Sequence, residues 1–278
     1  MRQEQPAPDV GRREAADHGT AQAGCTRLPV TAAILAHNEA DRLPATLQAL
    51  NQHVERIIVL DSDSDDGTAE VAMALGAEVH NHRWEGYVAA RRRLLELVDA
   101  PWCLMVDADE VVPPAFWDAL ARTGFPDTEA SAYAVRRQTI YLGKRLRYAW
   151  QPDWKTVLVR TERARIEGGA VHEYLTTPDP VVRLPVAIDH YSYRGLGDHL
   201  RKMIAYARLG AAQLEQEGRR CHWWDLTLRP AWHVVRHLLV KQAWRDGLPG
   251  WIAATSSGVA VWMRYAFLLE RRLELRKG

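Results

Sequence analysis

Short apolar runs alternate with amphipathic stretches along the first 110 residues. Three runs have the length and composition of buried strands, at residues 30–36, 56–60 and 102–106. Apolar side chains at helical spacing predict helices over about 41–52, 69–75 and 87–98, with a short strand at 78–80. Alternating strands and helices form right-handed βαβ units on a parallel sheet. The pattern therefore predicts an α/β, Rossmann-like fold, with a mostly parallel sheet flanked by helices.

The pattern changes in the second half of the chain. Short alternating runs at 132–136, 156–159 and 184–188 predict a smaller mixed-sheet section that carries acceptor contacts. From about residue 197 the periodicity is helical, with breaks expected near Gly218, Pro230 and Gly247 to Gly250. We therefore expect an α/β domain at 28–195 and a helical C-terminal region at 196–278.

Residues 1–27 are rich in Ala, Gln and charged side chains and have no apolar core, so they do not resemble a signal peptide. They indicate a disordered leader or a gene start placed too early. The formal net charge is +1, which gives no reason to expect a nucleic-acid partner. Three scattered cysteines do not make a disulfide framework, and a reducing cytoplasm is the simplest location.

Polar residues follow each of the three predicted buried strands. They are His37-Asn38-Glu39, Asp61-Ser62 and Asp107-Ala108-Asp109. Parallel sheets bind ligands beyond the carboxyl ends of their strands. Asp61 and Ser62 are placed to bind the base or ribose of a nucleotide, although turn and helix-capping chemistry by the neighbouring Asp65 and Asp66 is an alternative.

The Asp107-Ala108-Asp109 triplet is the strongest local motif. Alternate residues of an extended segment point to one side, so the two carboxylates are expected to converge. Mg²⁺ or Mn²⁺ prefers such oxygen ligands together with substrate phosphates. The competing interpretation is a strand end followed by an acidic helix cap. The first strand is followed neither by Gly-x-Gly-x-x-Gly nor by a phosphate-binding Gly-x-x-x-x-Gly-Lys-Ser/Thr loop, which disfavours dinucleotide enzymes and P-loop NTPases.

Taken in order, these motifs resemble those of family 2 glycosyltransferases, which have the GT-A fold. The similarity covers about residues 29–114. It extends through Tyr141-Leu-Gly143, Trp150-Gln-Pro-Asp153, Val171-His-Glu173, His190-Tyr-Ser192 and Asp246-Gly247, which resemble the subgroup containing lipopolysaccharide core β-1,4-glucosyltransferases. The resemblance implies inverting transfer from a nucleotide-activated sugar, usually a UDP-sugar, with Mg²⁺ or Mn²⁺ as cofactor.

The resemblance also implies individual roles. Asp109 is expected to bind the metal directly, and Asp107 to contact ribose or the metal's water shell. Asp61 faces uracil or ribose, and Glu39 faces the nucleoside pocket. Ala36, Asn38, Ser62 and Ala108 are expected to line the same nucleotide-sugar site.

Inversion by direct displacement needs a general base for the acceptor hydroxyl. Glu173 is the first candidate and Asp153 the second. His172 is expected either to complete the metal shell or to orient Glu173, while the competing interpretation is an ordinary surface His-Glu pair. Within Arg91-Arg92-Arg93, the arginines either pair with phosphate or form a solvated helix face.

Tryptophan is over-represented, with 11 Trp against 3 Phe, and many lie near basic residues in the C-terminal region. Such a pattern is typical of contact with a membrane interface, although packing of the helices on the rest of the chain explains it equally. No run of about 18 clean apolar residues is present, so a spanning helix is not expected.

The sequence thus predicts a metal-dependent enzyme that moves a hexose from a UDP-sugar to a cell-envelope glycan or lipid-linked saccharide, such as lipopolysaccharide core. Its expected location is the cytoplasm, at the inner face of the cytoplasmic membrane. The alternatives are a sugar-1-phosphate nucleotidyltransferase and a catalytically inactive sugar-nucleotide-binding protein.

Overall fold

The structure, a computed structural model, describes residues 27–168 and 173–274, so most of the expected leader lies outside the described residues. The strands are β1 (Leu28–Ala36), β2 (Val54–Asp61), β3 (Glu78–Asn81), β4 (Trp102–Asp107), β5 (Glu110–Val111), β6 (Ala132–Tyr141), β7 (Lys144–Arg145), β8 (Trp154–Arg160), β9 (Arg165–Gly168), β10 (Glu173–Thr176) and β11 (Val181–His190). The helices are α1 (Leu43–Leu50), α2 (Thr68–Ala74), α3 (Tyr87–Glu96), α4 (Pro114–Ala121), α5 (Leu196–Gln216), α6 (Trp223–Leu226), α7 (Leu228–Val235) and α8 (Gly247–Glu274).

One mixed sheet organises the chain, in the order β3-β2-β1-β4-β8-β6-β11-β5. Its first four strands are all parallel and are connected through helices. Every strand and helix predicted in the first 110 residues is present within a few residues of its expected bounds. The predicted α/β, Rossmann-like fold class with a C-terminal helical extension is confirmed.

The strands predicted for the mixed-sheet section are present and belong to the main sheet. The runs at 132–136, 156–159 and 184–188 lie in β6, β8 and β11, which continue the main sheet. β8 is antiparallel to both β4 and β6, whereas β11 runs parallel to β6. Only β9 and β10 form a sheet of their own within the described chain. The second half therefore adds strands directly beside the parallel unit.

Both faces of the parallel half are buried. On one face, side chains from β1 and β2 pack against α1, α2 and α4 in a single apolar cluster. On the other face, they pack against α3 and the β9–β10 hairpin. Two covered faces explain why β1, β2 and β4 are continuous apolar runs instead of alternating ones. With both faces covered, ligands have access mainly at the ends of the strands.

The C-terminal region is helical, as predicted. The expected break near Gly218 follows the end of α5, and the break expected near Pro230 lies at Thr227, between α6 and α7. Pro230 itself lies in the first turn of α7, where a missing N–H leaves no helical bond unmade. A π-helical turn (Arg236–Val240) and a 3-10 turn (Ala243–Asp246) connect α7 to α8. The helical run Ala243–Leu273 has the length and composition to cross a membrane, with a third of its most apolar stretch buried.

Asp246 fastens this helical region to the sheet domain. Its buried carboxylate accepts hydrogen bonds from the backbone N–H groups of Arg147, Tyr148 and Ala149, at 2.8 to 3.0 Å. Asp246→Ala should lower the free energy of unfolding by about 3 kcal/mol, because it leaves buried donors without an acceptor. We expect urea denaturation to show that loss. The exposed Asp127→Ala should change stability by less than about 0.5 kcal/mol, and an equal effect of both variants would contradict this role for Asp246.

Candidate functional site

The carboxyl ends of β1, β2 and β4 meet at one edge of the sheet. Ala36 is paired with Asp61 across β1 and β2, and Leu35 is paired with Asp107 across β1 and β4. The three polar motifs predicted at strand ends are therefore neighbours. This edge is where open α/β sheets bind their ligands.

The segments that follow β1 and β2 are joined by hydrogen bonds. The N–H groups of Asn38, Glu39 and Ala40 donate to the side chains of Ser64, Thr68 and Asp66, at 2.9, 2.8 and 3.1 Å. In return, the N–H of Asp65 donates to the Asn38 side chain. Asp66 also accepts the N–H of Thr68, the first residue of α2, although the N-cap position is occupied by Gly67, which makes no side-chain cap. The polar side chains of Ser64, Asp66 and Thr68 therefore stabilise the conformation of the two segments that follow β1 and β2.

Asp61 and Ser62 are buried at this edge. The Asp61 carboxylate accepts the Ser64 hydroxyl and backbone N–H, at 2.5 and 3.1 Å. The Ser62 hydroxyl has no hydrogen-bond partner among the described residues, although it is buried. Buried hydroxyls normally have a partner, so this one is available to a ligand or to water. Ala36 is buried beside them.

Asp107 is held by two cations. The Arg91 Nη2 lies 2.6 Å and the Lys155 Nζ 2.8 Å from its carboxylate oxygens. Burial acts to raise the pKa of Asp107, but the charges of Lys155, Arg91 and Arg137 outweigh it and hold that pKa well below the usual range. Asp107 is therefore ionised and already neutralised by protein groups. In this arrangement a direct ion pair, not a free carboxylate, occupies the first position of the acidic triplet.

Asp107 belongs to a longer series of ion pairs under the sheet edge. Acidic and basic side chains alternate along it, in the order Glu173, Arg91, Asp107, Lys155, Glu110, Arg137 and Asp153. Successive charged atoms lie 2.6 to 3.6 Å apart. Buried charges are tolerated when each has an opposite partner. We call this series the charge chain; it links Asp107 to both candidate bases.

Asp109 has different partners from those of Asp107. One carboxylate oxygen lies 3.6 Å from Nε2 of His190, and the other lies 3.5 Å from Arg42. The convergence of Asp107 and Asp109 on one cation stays a prediction. Ala108, between them, is buried, and its carbonyl accepts the Thr46 hydroxyl at 2.9 Å.

The end of β11 places His190 beside Asp109. His190 pairs with Glu110 across β11 and β5, and the N–H of Tyr191 donates to the Asp109 carbonyl at 2.9 Å. The Ser192 hydroxyl contacts the imidazole, 3.0 Å from Nδ1. Such outer contacts orient a ligating histidine. A carboxylate and an imidazole therefore lie side by side near the acidic strand ends.

Glu39 is also enclosed by cations. Both of its oxygens accept hydrogen bonds from Arg42, at 2.5 and 2.6 Å, and Arg194 lies 3.2 Å away. Burial raises the pKa of Glu39, and the attraction of Arg42 only partly offsets this. Arg194 continues to Asp41 and to the carbonyl of Asn38. The segment after β11 is thereby fixed to the segment after β1.

The two candidate bases occupy opposite ends of the charge chain. Glu173, at the start of β10, lies 3.0 Å from Nε of Arg91. Asp153 lies 2.7 Å from Nε of Arg137. His172 lies outside the described residues, so its expected roles stay predictions.

Arg91 is buried on α3 and forms no part of a solvated face, whereas Arg92 and Arg93 are exposed.

The side chains at the sheet edge offer few ligands for a divalent cation. No group of three or more His, Cys, Asp or Glu side chains suited to a metal occurs within residues 27–168 and 173–274. Mg²⁺ sites commonly use one or two protein carboxylates, with waters and substrate phosphates completing the shell. Asp109 with His190 fits a site of that kind for Mg²⁺ or Mn²⁺. Asp107 fits less well as a direct ligand, since its oxygens face Arg91 and Lys155.

The sequence patterns predict no role for three side chains of this region. Lys155 and Arg137 belong to none of the predicted motifs, and His190 is only part of the His190-Tyr-Ser192 motif. Isolated basic residues on strands carry no local signal, since their partners come from distant parts of the chain. For His190, its position in a motif at a strand end was the available signal.

Comparison with known proteins adds three similarities. The family model described as "Glycosyl transferase family 2" matches residues 31–177, just over half of the chain. The lipopolysaccharide core biosynthesis glycosyltransferase LpsC of Rhizobium meliloti (strain 1021) is 26% identical over 262 residues, which are 90% of this chain and 93% of LpsC. A solved structure of mannosyl-3-phosphoglycerate synthase from Rubrobacter xylanophilus is 19% identical with a TM-score of 0.42, covering 74% of this chain and 80% of that one.

Proposed function

The chain belongs to glycosyl transferase family 2, and from that premise we propose that it moves a hexose from a UDP-sugar to a cell-envelope glycan, with inversion at the anomeric carbon. The acceptor is a saccharide of the lipopolysaccharide core type. Support for the acceptor comes from LpsC, a lipopolysaccharide core biosynthesis glycosyltransferase that aligns over 90% of this chain. The proposed place of action is the cytoplasmic face of the membrane, where a lipid-linked acceptor is within reach.

The observation that carries the proposal is the arrangement at the sheet edge. The half-buried Asn38 and Glu39 after β1 and the buried Asp61 and Ser62 at the end of β2 adjoin the acidic end of β4. We propose that Asn38, Glu39, Asp61 and Ser62 surround the nucleoside, with the backbone of Ala36 and Ala108 forming the floor of the pocket. Asp107, fixed by Arg91 and Lys155, lines the ribose side. A site with this many fixed polar groups suits a polar, charged donor.

A divalent cation is proposed at Asp109, with His190 as the second protein ligand. Bound there, Mg²⁺ or Mn²⁺ would neutralise the charge that develops on the departing diphosphate. The basic side chains of the charge chain have a separate role. Lys155 and Arg137 balance Asp107 and Glu110, so that the sheet edge does not repel an anionic donor.

Glu173 is the proposed general base. It would accept the proton of the acceptor hydroxyl as that oxygen attacks the anomeric carbon and the bond to the diphosphate breaks. Its ion pair with Arg91 orients the carboxylate and couples its position to Asp107. Asp153 is the second candidate, held in the same way by Arg137.

A donor screen tests the proposal. We expect UDP-hexoses, in the presence of Mn²⁺, to raise the melting temperature, since a ligand at about 100 times its Kd stabilises a protein by about 2.7 kcal/mol. GDP- and dTDP-hexoses serve as matched controls for the base, and omission of Mn²⁺ serves as the control for the metal. Stabilisation by GDP- or dTDP-sugars alone would overturn the choice of donor.

Turnover is checked in the same experiment. Release of UDP from the stabilising donor, with an inverted configuration of the product by NMR, is the expected result. Binding without any release of UDP, in the presence of core oligosaccharide acceptor, would instead indicate an inactive binding protein.

A further inference from the structure

Two neighbouring helices of the C-terminal region expose apolar side chains at helical spacing. On α7 and the following π-helical turn these are Leu228, Trp232, Val235 and Leu239, and on α8 they are Leu248, Trp251, Val259 and Trp262. Trp244 lies between the two helices and is exposed as well. We call these nine residues the tryptophan face. Leu239 is 67% exposed and Trp232 is 58% exposed, so the face is not the buried side of either helix.

The two rows of side chains form one surface. Val235, Leu239, Trp244 and Trp251 line a common apolar depression with Leu238. Farther along α8, a Cβ at Gly258 would lie only 2.4 Å from the Val234 side chain, so α7 crosses α8 in close contact. An exposed apolar surface of this extent marks an interaction site in a folded protein.

The exposed charges along this part of the chain are basic. From Leu226 to Leu269, a stretch that the structure describes throughout, Arg236 and Arg245 are exposed and Lys241 is half-buried, whereas Arg229 pairs with Asp225 and Arg264 packs against Gly210. The single acidic residue of the stretch is Asp246, which is buried against the backbone of residues 147–149. The surface therefore presents tryptophans and aliphatic side chains within a positive border. Tryptophan prefers the interfacial layer of a bilayer, and basic side chains are attracted to anionic headgroups.

We propose that the tryptophan face docks this protein in the plane of an anionic lipid bilayer. Two alternatives, a dimer formed through the tryptophan face and a membrane-spanning α8, agree less well with the structure. A second copy would bring the same positive border against itself in a two-fold interface. Insertion of α8 across the bilayer would require it to leave α7, where a Cβ at Gly258 would lie 2.4 Å from the Val234 side chain, and α5, where a Cβ at Gly210 would lie 2.7 Å from Nε of Arg264. Docking in the interface keeps that packing and covers the exposed side.

This inference concerns a surface distinct from the sheet edge and does not depend on the proposed reaction. The full-length chain is mixed with vesicles of phosphatidylcholine alone, or of phosphatidylcholine with phosphatidylglycerol, and separated by flotation. We expect flotation with the anionic vesicles, much less with the neutral ones, and a fall in binding as salt is added.

Single substitutions locate the contact. Trp232→Glu, Leu239→Glu and Trp262→Glu should each lower the partition coefficient about 10- to 100-fold, because each removes the burial of a large apolar side chain. Arg236→Gln should lower it about fivefold through loss of one headgroup attraction. The matched control is Met73→Glu on α2, which replaces a comparably exposed apolar residue outside the face and should float as the parent does. The melting temperature should be unchanged in all of these variants, which separates a docking defect from a folding defect.

Four results would overturn the proposal. One is failure of the parent protein to float with anionic vesicles, and a second is an equal loss of flotation in Met73→Glu. Another is resistance of the bound protein to alkaline carbonate extraction, which would mean a spanning helix. The last is a dimer in sedimentation analysis that Trp262→Glu dissociates while vesicle binding is absent, which would assign the face to a second copy.

Discussion

Asp109→Ala should reduce the transfer rate by about 100- to 1,000-fold, because electrostatic stabilisation of a departing diphosphate by a metal contributes several kcal/mol. Asp109 and Asp107 have different partners. Arg91 and Lys155 lie 2.6 and 2.8 Å from Asp107, whereas Arg42 and His190 lie 3.5 and 3.6 Å from Asp109. Loss of Asp109 should therefore remove metal binding while leaving the charge chain intact.

Direct measurement of the metal distinguishes this effect from a structural one. Titration with Mn²⁺ in the presence of UDP should show strongly weakened binding for Asp109→Ala and also for His190→Ala. The matched control is Asp65→Ala, which removes an exposed carboxylate from the neighbouring segment after β2. Unchanged Mn²⁺ affinity in Asp109→Ala would refute the assignment, and a loss of affinity in Asp65→Ala would indicate only a general effect of charge.

The parallel half of the fold could be predicted because its signals are local. Each buried strand is a continuous apolar run, each helix has apolar side chains at helical spacing, and each strand end is polar. Together these features place Glu39, Asp61 and Asp107 at one edge, as observed for the strand pairs of Ala36 with Asp61 and Leu35 with Asp107. Right-handed parallel connections leave little freedom in that arrangement.

The charge chain could not be predicted from the same signals. Lys155 reaches Asp107 because β8 inserts antiparallel beside β4, and that register is set by contacts between residues about fifty positions apart. In the sequence, Arg91 is one of three consecutive arginines. Only the packing of α3 on the sheet, which buries Arg91, distinguishes it from the exposed Arg92 and Arg93. His190 approaches Asp109 only because β11 pairs with β5. In each case the partner is chosen by tertiary packing, which a local pattern does not record.

Glu173→Gln is the second variant with a large expected effect. It keeps the size of the side chain and a hydrogen-bond acceptor for Arg91, but removes the ability to take a proton. Loss of a general base typically costs about 100- to 10,000-fold in rate, and we expect such a loss in kcat with the KM for the UDP-sugar little changed. Steady-state kinetics with a core oligosaccharide acceptor would measure both quantities.

Arg91 and Asp153 provide the controls for this prediction. Arg91→Gln breaks the same ion pair but leaves the Glu173 carboxylate in place, so it should lower kcat much less than Glu173→Gln does. Asp153→Asn tests the other end of the charge chain, and modest loss is expected there. Activity that survives Glu173→Gln but disappears in Asp153→Asn would transfer the role of base to Asp153. Equal losses of kcat in Glu173→Gln and Arg91→Gln would instead show that Glu173 acts only by positioning Arg91 and Asp107.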